Sequence, residues 1–142
     1  KNIDVDQKII TDRLDIIQKS LNRLKEMKSL SSGEFMTEDN FAIAEHYLRY
    51  TLEATFDICS HILSRIPGAR PEEYKKMALS MGENEIVPED FAKEKLFKMA
   101  GYRNRLTHFY FDISYKEMYE IIQNNLSDID KFLKYIKAFL EG

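Results

Sequence analysis

Five residues able to handle a phosphodiester fall within the eight positions Arg103-Asn-Arg-Leu-Thr-His-Phe-Tyr110. A histidine moves protons near neutral pH, and a guanidinium offers paired hydrogen bonds to a phosphate whose charge is rising. Together, His108 and Arg103 suit RNA cleavage without a metal, in which the ribose 2′-hydroxyl attacks its own phosphate. Asn104 can orient the imidazole, Tyr110 can stack on a base or donate to a phosphate, and Arg105 can hold the backbone. On an ideal helix Asn104 and His108 share a face, with Arg103 and Thr107 in the adjacent row. Arg103 and His108 lie about 140° apart around the axis. Only the arginine's length, or a bend near Phe109, brings both to one phosphate, and a cleft shared by two subunits is the alternative.

The spacing also has a plain explanation, with His108 a helix C-terminal residue favoured by the dipole and Arg103 a surface charge. Charge distribution bears on the choice. The chain is acidic overall, at −3, yet Lys93, Lys95, Lys98, Arg103 and Arg105 stand against only Glu94 between residues 93 and 105. That is a local +4 and leaves −7 elsewhere; it fits either a phosphate-binding surface or a solvated helix face. Asp57 and His61, four apart on one helix, can support a cleft or a dimer contact, or satisfy each other within the fold. Cys59 and His61, two apart, point to different faces, and no further cysteine completes a ligand set, so no metal site or cofactor is expected. The single cysteine lies among apolar neighbours, reads as a small buried hydrophobe, and fits a reducing compartment.

The elements that must position these residues are all helical. Ile9/Ile10, Leu14, Ile17, Leu21, Leu24 and Met27 recur at three and four, predicting a first helix over about residues 4 to 30. Ser31-Ser32-Gly33 supplies the break, and Thr37 or Asp39 offers a cap for the next element. A second long stripe runs from Phe41 through Ala44, Leu48, Leu52, Phe56, Cys59 and Ile62 to Ile66, ended by Pro67-Gly68. Pro71 suits the first turn of a short third helix through Met77 and Met81, closed by Gly82-Glu83-Asn84. Pro88 opens the fourth, with Phe91, Leu96, Met99 and Leu106 as core positions and the chemical residues at its C-terminal end. Gly101 in its middle costs about 1 kcal/mol against alanine, so it allows close approach of a helix or ligand or is merely tolerated. Ser114-Tyr-Lys-Glu117 has the form of a capping box and starts a final helix striped by Met118, Ile122, Leu126, Ile129, Phe132/Leu133, Ile136 and Leu140.

The expected fold is therefore all-α: an antiparallel four-helix bundle with one additional short helix, in one domain over residues 1–142. A content of 44 % hydrophobic and 32 % charged residues is globular. No apolar run approaches the roughly 18 residues of a membrane span, and the first twenty residues do not resemble a signal peptide, which makes the cytoplasm the default expectation. No glycine-rich phosphate loop, strand pairing signal or internal repeat is visible.

The stretch from Arg103 to Tyr110 resembles the Arg-x4-His-x-Tyr motif of HepT-like ribonuclease toxins of the HEPN superfamily, including the asparagine that follows the arginine. The resemblance extends over nearly the whole chain, through Leu52-Glu-Ala-Thr-Phe-Asp-Ile-Cys-Ser-His-Ile62, Arg70-Pro-Glu-Glu-Tyr74, Ile86-Val-Pro88 and Lys98-Met-Ala-Gly-Tyr-Arg-Asn104. It implies a helical HEPN domain, usually a homodimer with two motifs facing across a cleft, acting as a metal-independent endoribonuclease toxin. It implies also a partner, an MNT-type minimal nucleotidyltransferase antitoxin, which in some members adds AMP to the motif tyrosine, here Tyr110. His46 falls where relatives often carry another polar residue, and otherwise reads as a helix-surface histidine. The competing expectations are a non-catalytic HEPN module that binds a nucleotide or a nucleotidyltransferase, and a helical interaction protein with no small-molecule site.

Overall fold

The first element starts where a side chain can satisfy free backbone N–H groups. The Asp6 carboxylate accepts from the Lys8 and Ile9 amides, and α1 runs Gln7–Glu26, tightening into a single 3-10 turn at Met27–Ser29. The computed structural model describes residues 3–69, 71–107 and 113–142. Ser31 to Phe35 is more than a break. The Ser31 hydroxyl accepts from the Glu34 amide, the Glu34 carboxylate accepts from the Ser31 amide, and this reciprocal cap starts a one-turn helix, α2 (Ser32–Phe35), that buries Phe35.

Thr37 caps α3 (Glu38–Leu63), its hydroxyl accepting from the Asn40 amide. The helix ends three residues before the expected Ile66, and Pro67-Gly68 serves a later purpose. Ile66 to Ala69 is a turn closed by the Ala69 N–H donating to the Ile66 carbonyl, with Gly68 at φ +81 in its third position. α1 and α3 pack along their length, and two contacts fix their sense. The Asp6 N–H donates to His61 Nε2 at 3.0 Å, and Arg13 pairs with Asp57 at 3.0 Å, so the start of α1 meets the end of α3. The helices are antiparallel.

The short α4 spans Tyr74–Glu83, and Pro71 lies three residues ahead of it, outside its first turn. Its end is a Schellman motif in which Glu85, at φ +61, takes the left-handed position. The Glu85 and Ile86 amides return to the Gly82 and Met81 carbonyls, and Ile86 is buried. Gly82 is needed for a different reason: a Cβ there would lie 2.7 Å from the Ala92 Cβ, because α4 crosses the next element closely.

That next element is the expected fourth helix with a change of pitch inside it. Pro88 stands just before α5 (Glu89–Phe91), a π-helical segment occupies Ala92–Leu96, and α6 continues over Phe97–Thr107. Phe91 and Leu96, five apart at either side of this wider turn, are both buried. The last expected helix is likewise two, α7 (Tyr115–Asn124) and α8 (Leu126–Glu141), interrupted at Asn125. α1, α3, α6 and the α7–α8 pair form the helical bundle that the patterning predicts, with α4 as the added short helix and α2 as a further turn.

The stripes meet in one apolar core. Ile10, Ile17, Leu21 and Leu24 of α1, Leu52, Phe56 and Ile62 of α3, Leu96 and Ala100 on the fourth helix, and Phe132 and Ile136 of α8 are all buried in it. At about 25 cal/mol per Å² of apolar surface removed from water, the Leu, Ile and Phe side chains among them each contribute about 1.5–3 kcal/mol. Cys59 is among them, and burial pushes its thiol well above the ordinary range, as expected of a packed hydrophobe. Among the described residues no helix is long and apolar enough to cross a membrane.

Candidate active site

The polar face of α6 carries the candidate residues because its other face is committed to the core. Met99, Ala100 and Leu106 are buried, leaving Gly101 to Arg105 half-exposed. His108 and Tyr110 lie outside the described residues, so the site described is the part built by Arg103, Asn104 and their neighbours.

Arg103 is held by α4. Its Nη2 donates to the Tyr74 hydroxyl at 3.1 Å, and its guanidinium carbon lies 4.7 Å from the centre of the Tyr74 ring. Tyr74 is itself backed by Phe56 of α3, with ring centres 5.6 Å apart. Nη1 donates to the Thr107 hydroxyl one turn on, and that hydroxyl donates in turn to the Arg103 carbonyl at 2.9 Å. Among the described residues no carboxylate pairs with Arg103, and its buried Nε–H has no acceptor. The guanidinium is thus fixed in place by neutral groups and keeps its whole charge. Tyr74 was not singled out by sequence. It stands at the end of a recognised segment, but a contact spanning 29 positions leaves no local spacing to read.

Arg105 has a different environment. Its two terminal nitrogens donate to the two carboxylate oxygens of Glu117, both at 2.7 Å, tying α6 to α7. Hydrogen bonds from Arg105 hold the Glu117 carboxyl below the ordinary carboxylate range, more than its partial burial raises it. This changes the reading of Ser114-Tyr-Lys-Glu117 as a full capping box. The Ser114 hydroxyl accepts from the Glu117 amide at 3.1 Å, but the Glu117 carboxylate is directed to Arg105, because a bidentate ionic contact outweighs one neutral backbone N–H.

Asn104 lines a surface cleft of about 670 Å³ with Lys75, Phe97, Lys98, Gly101, Tyr102 and Arg105. The Lys75 ammonium sits 5.4 Å from the Phe97 ring centre. Burial pushes the Tyr102 hydroxyl above the ordinary tyrosine range, the Glu117 carboxylate adding to the effect and Arg105 opposing it. Of the basic run, Lys98 and Arg105 reach this cleft, Lys93 pairs with Glu89 at 3.5 Å, and Lys95, in the π-helical segment, does not line it. Gly101 admits no close helix: a Cβ there would meet only Lys75 Cε, at an ordinary 3.7 Å.

Asp57 and His61 are brought against α1 rather than into the cleft lining, Asp57 on Arg13 and His61 on the Asp6 amide. Desolvation, then Arg65, lowers the basicity of His61 against the opposing pull of Asp6, which keeps its Nε2 an acceptor. His46 is exposed on α3 with its ring 4.4 Å from that of Tyr50.

Residues 17–136 match the family model described as Ribonuclease HepT-like. The tRNA nuclease HepT of Aphanizomenon flos-aquae (strain 2012/KM1/D3) is 27% identical over 133 residues, covering 93% of this chain and 90% of that protein. Among solved structures, a toxin–antitoxin with AMP-PNP superposes with a TM-score of 0.81 at 21% identity, over 92% of this chain and 98% of that one. The tri-AMPylated Shewanella oneidensis HEPN toxin in complex with MNT antitoxin gives 0.80 at 22%, over 92% and 97%. YutE of Bacillus subtilis, a cytosolic protein of unknown function, gives 0.80 at 20%, over 96% and 92%. At these identities the structural likenesses establish the shared fold.

Proposed function

Because this chain belongs to the Ribonuclease HepT-like family, whose model spans residues 17–136, we propose that it is an endoribonuclease toxin that cleaves RNA without a metal. The observation that carries the reading is the seating of Arg103, held by Tyr74 and Thr107 with no described carboxylate to neutralise it. A fixed, uncompensated guanidinium is what a phosphate gaining negative charge requires. Since the charge of Arg105 is spent on Glu117, the phosphate contact is assigned to Arg103.

In the proposed reaction the ribose 2′-oxygen attacks the adjacent phosphorus and the 5′-oxygen leaves, giving a 2′,3′-cyclic phosphate and a free 5′-hydroxyl. His108 moves the protons, taking one from the 2′-hydroxyl or giving one to the leaving oxygen. Arg103 stabilises the phosphorane oxygens, and Asn104, four positions before His108, positions the imidazole. The five-residue spacing of Arg103 and His108, about 140° on an ideal helix, supports a homodimer in which the two copies complete one cleft. Transfer RNA is the first substrate to try, given the name of the relative from Aphanizomenon flos-aquae.

The proposed partner is an MNT-type nucleotidyltransferase antitoxin, supported by the Shewanella oneidensis toxin of the same fold, which is AMPylated and bound to one. Tyr110 is the proposed AMP acceptor, its phenolic oxygen attacking the α-phosphorus of ATP with loss of pyrophosphate. The acidic net charge of −3 favours the second reading, a non-catalytic module that binds a nucleotide or the nucleotidyltransferase. Incubation of the purified chain with transfer RNA in EDTA separates the two. The ribonuclease reading expects cyclic-phosphate ends from the wild type and none from His108→Ala; ATP or partner binding with intact RNA would leave only the second reading.

A further inference from the structure

Gly101 is an unexplained cost in α6. A helix-interior glycine is about 1 kcal/mol worse than alanine, yet nothing within the described chain requires it, since a Cβ would make only an ordinary contact with a flexible lysine end. Its missing side chain instead leaves open the cleft it lines with Lys75, Phe97, Lys98 and Asn104. The size of that cleft, about 670 Å³, is in the range for a small-molecule or nucleotide-sized ligand.

The lining has the two chemistries of a nucleotide. Lys75 and Lys98 are exposed and neither makes a salt bridge among the described residues, the nearby Glu117 carboxylate being held by Arg105, so both ammonium groups can turn to a phosphate. The Phe97 ring is half-buried, with the Lys75 ammonium lying across it 5.4 Å from its centre. If Lys75 swings onto a phosphate, that ring face opens for stacking, and base–aromatic stacking is worth about 1–3 kcal/mol per base. Asn104 then presents an amide at the rim, able both to donate and to accept at a base edge.

We propose that the cleft between α4 and α6 is a nucleotide subsite for single-stranded RNA, with a phosphate between Lys75 and Lys98 and its base on Phe97 above Gly101. The subsite rests on the ribonuclease reading and extends it by naming where the strand is gripped beside Arg103. Its occupant is RNA rather than a second copy of the chain, because the cleft sets two lysines beside an aromatic ring, and a nucleotide carries a phosphate and a stacking base together.

The test uses the full chain and a fluorescent, fully 2′-O-methylated hexanucleotide, which cannot undergo 2′-hydroxyl attack. Anisotropy titrations compare the wild type with Gly101→Leu, Lys75→Glu/Lys98→Glu, and Lys134→Glu on exposed α8 as a charge control. Gly101→Leu and the double variant should each weaken binding about tenfold or more, by loss of a stacking-sized contribution, while Lys134→Glu matches the wild type. The double variant should also lower the log–log salt slope by about 0.7, as expected for one phosphate contact on a single strand. Thermal melts should show Gly101→Leu at least as stable as the wild type. Wild-type affinity in either cleft variant, or no binding by the wild type, overturns the subsite; so does sedimentation showing that both variants dissociate a dimer, which makes the cleft a copy-to-copy surface. Since the probe is not cleaved, a wild type that cuts RNA while Gly101→Leu binds normally removes the subsite alone. Binding at the cleft with no cleavage of any RNA removes the ribonuclease reading alone.

Discussion

Arg103 and Arg105 stand two residues apart on one helix and are chemically identical, yet their surroundings give them opposite tasks. Arg105 meets both oxygens of Glu117 at 2.7 Å, so its charge is cancelled within the fold and its work is to join α6 to α7. Arg103 meets two hydroxyls and an aromatic face, on Tyr74 and Thr107, so its position is fixed while its charge is retained. An arginine assigned to an anionic substrate needs order without neutralisation. Neutral donors and acceptors supply the first and leave the second intact.

The contrast breaks most sharply if Arg103 is given what Arg105 has. Thr107→Asp places a carboxylate one helical turn from Arg103, and we expect RNA cleavage to fall about 10²-fold, the scale of losing one charge-stabilising donor. Thr107→Asn, which supplies a neutral acceptor, should retain most activity; equal losses in the two variants would show that size rather than charge matters at this position.

Tyr74→Phe keeps the ring over the guanidinium and removes the hydroxyl that accepts from Nη2. Loss of one hydrogen bond of about 1–1.5 kcal/mol predicts a roughly tenfold drop in kcat with KM little changed. A rise in KM alone would mean that Tyr74 serves binding and not the placement of Arg103.

Arg105→Gln should act on stability instead. The pair is partly exposed, so its removal is expected to cost about 1 kcal/mol in urea unfolding. The pH dependence sharpens the assignment. The folded carboxyl of Glu117 is depressed, chiefly by its bonds from Arg105, so the stability it confers is complete above the unfolded carboxylate value of about 4.3 and is lost as pH falls through the lower folded value. The gap between wild type and Arg105→Gln should therefore be constant from pH 7 to about 5 and close below about pH 4. A gap that persists in acid would deny that the ion pair is its source.

Much of this contrast was hidden in the sequence for reasons that particular residues make clear. Helical stripes such as Ile10, Leu14, Ile17, Leu21 and Leu24 were legible because burial imposes the helix period directly. The interruption at Asn125 was not, since Met118, Ile122, Leu126 and Ile129, all buried, keep helical spacing across it. The π-helical segment was not legible either, since a five-residue step between buried positions such as Phe91 and Leu96 occurs also within regular α3, at Ile58 and Leu63. The Ser31-Ser-Gly-Glu34 cap follows the same pattern rule that marks Ser114, but the short Ser-Ser-Gly stretch hides it behind the look of a break. At the site, composition and spacing pointed to Arg103 and Asn104, whereas the partners that distinguish Arg103 from Arg105 lie on α4 and α7 and become adjacent only on folding.

The most direct test of the account is single-turnover cleavage of transfer RNA in EDTA by Arg103→Gln beside the neutralised pair Arg105→Gln/Glu117→Gln, at a temperature where both remain folded. The account predicts a loss of about 10²–10³-fold for Arg103→Gln, as for removal of one transition-state donor, and a loss below about tenfold for the double variant. Equal losses, or an Arg103→Gln protein that cleaves at the wild-type rate, would contradict it.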